Sequence, residues 1–266
     1  MSDTPIAASI IIPVYNGADL IGPAVASATI SIDHCVKALG AVPREGYEIV
    51  LSDDGSTDDT LAEAHRAAAA NPLVRVVETP ENRGAGPARN RGVKAARGEI
   101  LFFLDADDAF LPPHVLVCMA ELLRHPEAGL VKTDIDVDAP LHEDWRRAII
   151  NTVVFNMAVW RHAHDAVGGF MEDPELKTLR CEDVFYCDHL MRCFPSRLVQ
   201  ARTVRHTVRE GGAFEGQVLK FSVARSEARD SLTEAQRAVL PGLRARHEAR
   251  VAATGEGSIA LPVPPC

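Results

Sequence analysis

Residues 99–108 read EILFFLDADD. The run Ile100–Leu104 is apolar without a break, so it lacks the alternation of a strand with one wet face. Such a run belongs to a strand buried on both sides, as in a parallel sheet covered by helices. Three carboxylates, Asp105, Asp107 and Asp108, follow immediately. Like charges crowded at the end of a hydrophobic strand repel one another and call for a positive partner. Working outward, SIIIPV (9–14), YEIVL (47–51) and VRVV (74–77) are further strand runs closed by turn residues. Between them lie helical stretches at 19–39, from the N-cap candidates Ser56 and Thr57 to Ala70, and at 86–96, the last containing Gly92. Strands alternating with helices predict an α/β fold, a mostly parallel sheet flanked by helices. Ligands of such sheets bind beyond the carboxyl ends of the strands. Asp53 and Asp54 fall at one such end, and Asp105, Asp107 and Asp108 at another.

The composition is that of a globular chain: 266 residues, 47% hydrophobic and 24% charged. A net charge of −9 argues against nucleic acid as a partner, because phosphate neutralisation needs a basic surface. The first residues, MSDTP, carry no basic n-region, and no apolar run approaches the roughly 20 residues of a membrane span. The expectation is a cytoplasmic protein without a transmembrane segment. Cys181, Cys187 and Cys193 recur every six residues, but steps of six do not share a helix face, so buried thiols are expected rather than zinc ligands.

Beyond Val131 the pattern changes. Trp145–Trp160 mixes polar and apolar residues, Gly168-Gly169-Phe170 is a turn, and 182–192 is helical in character. Ser231 and Glu234 have capping-box spacing, predicting a helix over 232–240 that Pro241 separates from an Arg-rich one bearing Arg244, Arg246 and Arg250. That basic face is expected to be solvated, with contact to an anionic membrane surface as the alternative. The expected organisation is a domain over 1–212, with halves 1–131 and 132–212, then a helical extension and loose tail over 213–266. Trp145, Trp160, His162 and His164 lie where a second substrate would be met, though core packing is the commoner fate of such residues. Asp134, Asp136 and Asp138 alternate along one strand face, which a solvated edge explains.

The acidic cluster has a chemical reading. Hard divalent cations such as Mg²⁺ or Mn²⁺ take oxygen ligands and are typically held by one or two carboxylates plus substrate phosphates. A carboxylate fixed at the end of the second strand, in VLSDDGSTDDT (50–60), can accept from a base imide or from ribose hydroxyls.

Five ordered blocks carry a resemblance: SIIIPVYNG (9–17), EIVLSDDGSTDDT (48–60), NRGAGPARNRGVKAARGEILFFLDADD (82–108), VGGF (167–170) and CEDVFYCDHLMR (181–192). Together they resemble the family 2 glycosyltransferases of the GT-A fold, a Rossmann-like architecture. The resemblance spans about residues 9 to 210. It implies inverting transfer from a nucleotide-sugar donor, a UDP-sugar favoured, to an acceptor hydroxyl, assisted by Mn²⁺ or Mg²⁺. It sets the nucleoside against Pro13, Tyr15 and Asn16, Asp53 or Asp54, and the loop from Arg83 to Arg89. Asp105 then lies near ribose and metal, and Asp107 is the principal metal ligand. Glu182 and Asp183 match the family's acidic pair, in which the Asp is the general base. An inverting displacement needs such a base to take the hydroxyl proton, and the helix dipole is expected to keep Asp183 ionised. His206, with Arg205 and Arg209, falls where relatives close over the diphosphate, which makes it a candidate metal ligand.

Departures narrow the reading. The Gln-x-x-Arg-Trp motif of processive relatives is absent, since QARTVR at 200–205 lacks the Trp. A haloacid-dehalogenase-type phosphatase needs Thr or Val where Ala109 stands. Sugar nucleotidyltransferases need a Gly-rich Arg loop that PVYNGADLIG does not supply. A GT-A-like binding or scaffold subunit without turnover is the remaining alternative.

Overall fold

The computed structural model describes residues 5–209, 221–224 and 232–257. Eight strands form one sheet in the order β3-β2-β1-β4-β7-β6-β8-β5. They are β1 (Ala8–Val14), β2 (Tyr47–Asp53), β3 (Val74–Val77), β4 (Ile100–Phe103), β5 (Ala109–Phe110), β6 (Leu130–Val137), β7 (Met157–Trp160) and β8 (Ser196–His206). The first half is wholly parallel: β1 lies between β2 and β4, and β3 pairs with β2. In the second half β7 runs antiparallel to β4 and β6, β6 pairs parallel with β8, and β5 runs antiparallel to β8. The sheet is therefore mixed, with its parallel part built from the strands read most easily in the sequence. Every residue of β1, β2 and β4 is buried, as their unbroken apolar character requires.

Helices cover both faces: α1 (Ala18–Leu39), α2 (Thr60–Ala70), α3 (Ala85–Ala95), α4 (His114–Arg124), α5 (Glu143–Thr152), α6 (Arg161–Ala166), α7 (Pro174–Leu179), α8 (Glu182–Cys193) and α9 (Glu234–Thr254). A 3₁₀ turn at Arg44–Gly46 leads into β2. Helix α3 lies close on β1 because Gly92 has no side chain; a Cβ there would run into Ile11 Cγ2. The turn of Gly168 and Gly169 is left-handed at both residues, with φ of 72° and 68°, which only glycine adopts at little cost.

Several local expectations are corrected. Ser56 and Thr57 do not cap α2, which starts at Thr60 after Asp59. Their hydroxyls serve Asn16 instead: Asn16 N donates to Ser56 Oγ at 3.0 Å and Asn16 Nδ2 to Thr57 Oγ1 at 3.3 Å. Helix α9 runs unbroken through Pro241, and its capping box is Thr233 with Gln236 rather than Ser231 with Glu234. Proline there removes one backbone donor. Packing nevertheless holds the helix, since Leu243 and Val251 are buried against the body of the protein. Asp134 and Asp136 sit on β6, an interior strand and not an edge, where they meet Arg146 at 2.8 Å and Arg205 at 3.2 Å. The tail from 258 onward lies outside the described residues.

The basic face of α9 is not free either. Arg246 pairs with Asp173 and Glu175, and Arg250 Nη2 donates to the carbonyls of Val167, Gly168 and Gly169. No described helix is long and apolar enough to cross a membrane.

Candidate functional site

The carboxyl ends of β1, β2 and β4 open into a cavity of about 480 Å³. Pro13, Tyr15, Asp54, Asn82, Arg89, Asp105, Asp107 and Asp183 are among its lining residues. A second cavity of about 490 Å³ lies on the other side of Asp105, Asp107, Arg180 and Asp183, which line both. Its walls come from α5, α8 and α9, with Ile149, Phe155, Phe185 and Leu240 apolar and His206, Arg209 and Arg244 polar. Two chambers thus share an edge of three carboxylates and one guanidinium.

The acidic cluster has two different neighbours. Arg89, on α3 and buried, donates Nη2 to Asp105 Oδ1 at 2.6 Å and Nη1 to Glu182 Oε1 at 2.8 Å. Its guanidinium also lies 5.3 Å from the Phe170 ring centroid. Among the described residues Asp107 has no such partner: burial and the adjacent Asp105 charge raise its proton affinity above the ordinary carboxylate value. Asp108 is buried, with Oδ1 accepting from Thr207 N at 3.2 Å and joined to His206 Nδ1 at 2.7 Å. Burial lowers the proton affinity of His206, but the Asp108 hydrogen bond and charge, then Asp107 and Asp105, carry it above its ordinary value. Its ring also stacks on Phe155 at 5.2 Å.

Asp183 stands at the first turn of α8 and faces both cavities. The helix dipole does not dominate it. Burial, followed by the Glu182 charge, raises its proton affinity, while Arg89 pulls the other way. Desolvation outweighs the pull of one helix terminus. A carboxylate displaced toward neutrality in this way is matched to taking up a proton near pH 7.

The other residues expected from the sequence divide. Pro13 and Tyr15 line the first cavity, and Tyr15 is exposed at its mouth. Asn16, with φ of 47°, is instead a turn residue locked to the 56–57 segment. Asp53 closes its own turn, Oδ2 accepting from Gly55 N and Ser56 N at 3.1 Å each, while its buried Oδ1 has no hydrogen-bond partner among the described residues. Asp54 accepts from Gly84 N, Arg83 N and Arg91, fixing the loop before α3. The Arg83 side chain turns away to Glu172 at 3.2 Å. Glu182 is held by Arg89. Trp145 and Trp160 are core residues, and His164 is buried against the Tyr186 hydroxyl at 2.7 Å. His162 stacks beside Trp160. Cys187 and Cys193 are buried thiols, and Cys181 is partly buried.

Sequence reading missed Lys177 and Arg180, which line the first cavity from α7 and the turn after it, and the wall that α9 supplies to the second. The signal for Arg180 was its place three residues before Asp183; nothing in the α9 sequence revealed which face would close a cavity.

Comparisons with known proteins bear on the fold and the family. The succinoglycan biosynthesis protein ExoU of Rhizobium meliloti is 41% identical over 103 residues, 39% of this chain and 27% of that protein. The chain covers between 14% and 34% of the length of the curated relatives that match it most strongly. Among solved structures, TarS 1-349 of S. aureus in complex with UDP superposes with a TM-score of 0.62 at 19% identity, over 92% of this chain and 72% of that one. The mannosyltransferase PcManGT of Pyrobaculum calidifontis, in complex with GDP-Man and Mn²⁺, superposes at 0.61 and 20% identity, over 95% and 74%. These likenesses establish the GT-A fold of the chain. Residues 9–172 match the sequence model of glycosyl transferase family 2, more than half of the chain, and the protein belongs to that family.

Proposed function

We propose that this protein transfers a glycosyl unit from a nucleotide-sugar donor to an acceptor hydroxyl, with inversion at the anomeric carbon, in the assembly of a glycan. The observation that carries the reading is the shared edge of the two cavities, where Asp105, Asp107 and Asp183 meet. The donor occupies the first cavity and the acceptor the second, so the bond to be made spans the carboxylate edge.

On the donor side, Tyr15 and Pro13 flank the base. A UDP-sugar is the favoured donor, with the UDP complex of TarS as support and the GDP-Man complex of PcManGT marking the alternative. On the acceptor side, Asp183 takes the hydroxyl proton as that oxygen attacks the anomeric carbon. The bond from that carbon to the diphosphate oxygen breaks, and the nucleoside diphosphate departs with the electron pair. Arg89 pairs with Glu182 and Asp105 and offsets part of their charge beside this exchange.

The residues present fit a divalent cation. Asp107 is a desolvated carboxylate pressed against the Asp105 charge, an imbalance a cation relieves. Carboxylate oxygens suit Mg²⁺ or Mn²⁺, and Asp107 would hold the ion, with Asp105 and the His206 imidazole beside it. Asp108 on Nδ1 orients the His206 ring so that Nε2 is the nitrogen a metal would take. Among the described residues no three His, Cys, Asp or Glu side chains form a ready-made cage, so diphosphate oxygens would have to complete the shell. When bound, the ion neutralises charge on the departing diphosphate.

Release of nucleoside diphosphate by pure protein, given UDP- and GDP-sugars with Mn²⁺, tests the proposal. Turnover with one donor supports it. Binding of a nucleoside diphosphate without turnover of any of its sugars favours the binding-module alternative.

A further inference from the structure

The residue that follows Asp183 is apolar and uncovered: Val184, on the first turn of α8, is 40% exposed. It lines the second cavity together with Phe185, Phe155, Ile149 and Val153 of α5, and Leu240 of α9. Ile149 and Val153 are one helical turn apart and present a single aliphatic face. Apart from the carboxylate edge, the charged groups of this cavity among the described residues are all basic: Arg180, His206, Arg209 and Arg244. Arg244 is exposed and stands one turn beyond Leu240 on the same face of α9. Among the described residues the uncharged polar side chains are Thr152, Thr207 and the Cys181 thiol, and no Asn, Gln, Trp or Tyr lines the space. The first cavity, by contrast, offers Tyr15, Asp54 and Asn82.

Sugar hydroxyls pressed against aliphatic walls lose water without gaining hydrogen bonds, which is costly. An apolar body gains from the same walls. We propose that the acceptor is an anionic amphiphile. Its reacting hydroxyl is carried on an apolar body seated against Val184, Phe185 and Leu240, and a negative group, such as a phosphate, pairs with Arg244. A guanidinium suits phosphate oxygens in a planar fork. The carboxylate edge then meets only the hydroxyl, while α9 holds the charge. Such a cavity selects an amphiphile over a wholly hydrophilic saccharide. The inference rests on the acceptor reading given under Proposed function.

Octyl phosphate, octyl glucoside and inorganic phosphate probe the cavity by calorimetry, below any micellar concentration, on protein saturated with UDP or GDP and Mn²⁺. Octyl phosphate should bind about tenfold or more tightly than inorganic phosphate, because each buried methylene adds to its affinity. Val184 and Arg244 are exposed, so replacing either should leave the ligand-free Tm near wild type. Val184→Gln should weaken both octyl compounds about threefold. Arg244→Ala should weaken octyl phosphate about tenfold and leave octyl glucoside unchanged. Octyl phosphate bound no better than inorganic phosphate, or bound by either variant as by wild type, overturns the assignment. Co-sedimentation with phosphatidylglycerol vesicles, lost in both variants, would make the amphiphile a membrane lipid. Its absence beside octyl phosphate binding would make it a soluble one, and both outcomes support the site. If wild type binds no nucleoside diphosphate, the donor reading falls, and the same titrations on the free protein still decide the acceptor class.

Discussion

Arg89 and Glu182 lie 93 residues apart in sequence and are joined at 2.8 Å in the buried wall of the cleft. Because the same guanidinium holds Asp105 at 2.6 Å, it ties the end of β4 to the start of α8. The residues that would do chemistry are thereby placed by one that would not. Arg89→Met leaves two carboxylates facing each other without a counter-charge. Breaking a buried pair on one side costs about 3 kcal/mol, and urea unfolding should show a loss of that order. Glu182→Gln should cost less, since Arg89 keeps Asp105. A loss under 1 kcal/mol for Arg89→Met would contradict the bridging role.

Asp183→Asn keeps the shape of the site and removes the base. Transfer should fall by about 10²–10⁴-fold, the usual worth of general-base catalysis, while the Kd for nucleoside diphosphate stays within about twofold. Steady-state turnover and calorimetry read the two separately. Full transfer by the variant would move the base elsewhere.

His114 and His164 give the fold an acid-sensitive component away from the acidic edge. Burial lowers their pKa values to about 3 and about 4, so both are neutral in the folded state. The unfolded chain protonates them below about 6.5, and each therefore withdraws stability as pH falls from there toward its folded value. At pH 5 one such histidine costs about 2 kcal/mol. Raised carboxylates such as Asp107 act in the opposite sense, so the useful quantity is a difference. Unfolding free energy should fall less from pH 7 to pH 5 in His114→Gln than in wild type; equal slopes would contradict the buried neutral form.

Gly92→Val tests the approach of α3 to β1. The added branch meets Ile11, and overpacking of this kind costs about 1–3 kcal/mol. Since α3 carries Arg89, diphosphate affinity should weaken as well. A variant as stable as wild type would mean that helix and strand have room to separate.

The parallel half of the fold was legible because β1, β2 and β4 are buried on both faces and leave unbroken apolar runs ending in turn residues. Their carboxyl ends put Asp54, Asp105 and Asp107 in one place, as the strand-end rule requires. The legible part stopped where tertiary contacts overrode local signals. Ser56 and Thr57 have the chemistry of caps but bind Asn16 across the sheet end. Pro241 has the chemistry of a helix breaker but lies within α9, held there by the packing of Leu243. Arg83, Asn16 and Asp53 sit in the right loops with their side chains turned to structural tasks, a choice set by neighbours distant in sequence. Desolvation and the Glu182 charge raise the proton affinity of Asp183, and neither is visible in its position at a helix start.

Thermal stability of the pure protein against UDP, GDP and other nucleoside diphosphates, with and without Mn²⁺, bears most directly on the acidic edge as a metal-assisted donor site. At 100 times its dissociation constant a ligand of the folded state adds about 2.7 kcal/mol. The account predicts a Mn²⁺-dependent rise in Tm with one diphosphate, lost in Asp107→Ala. No rise with any diphosphate, or an equal rise in Asp107→Ala, would contradict it.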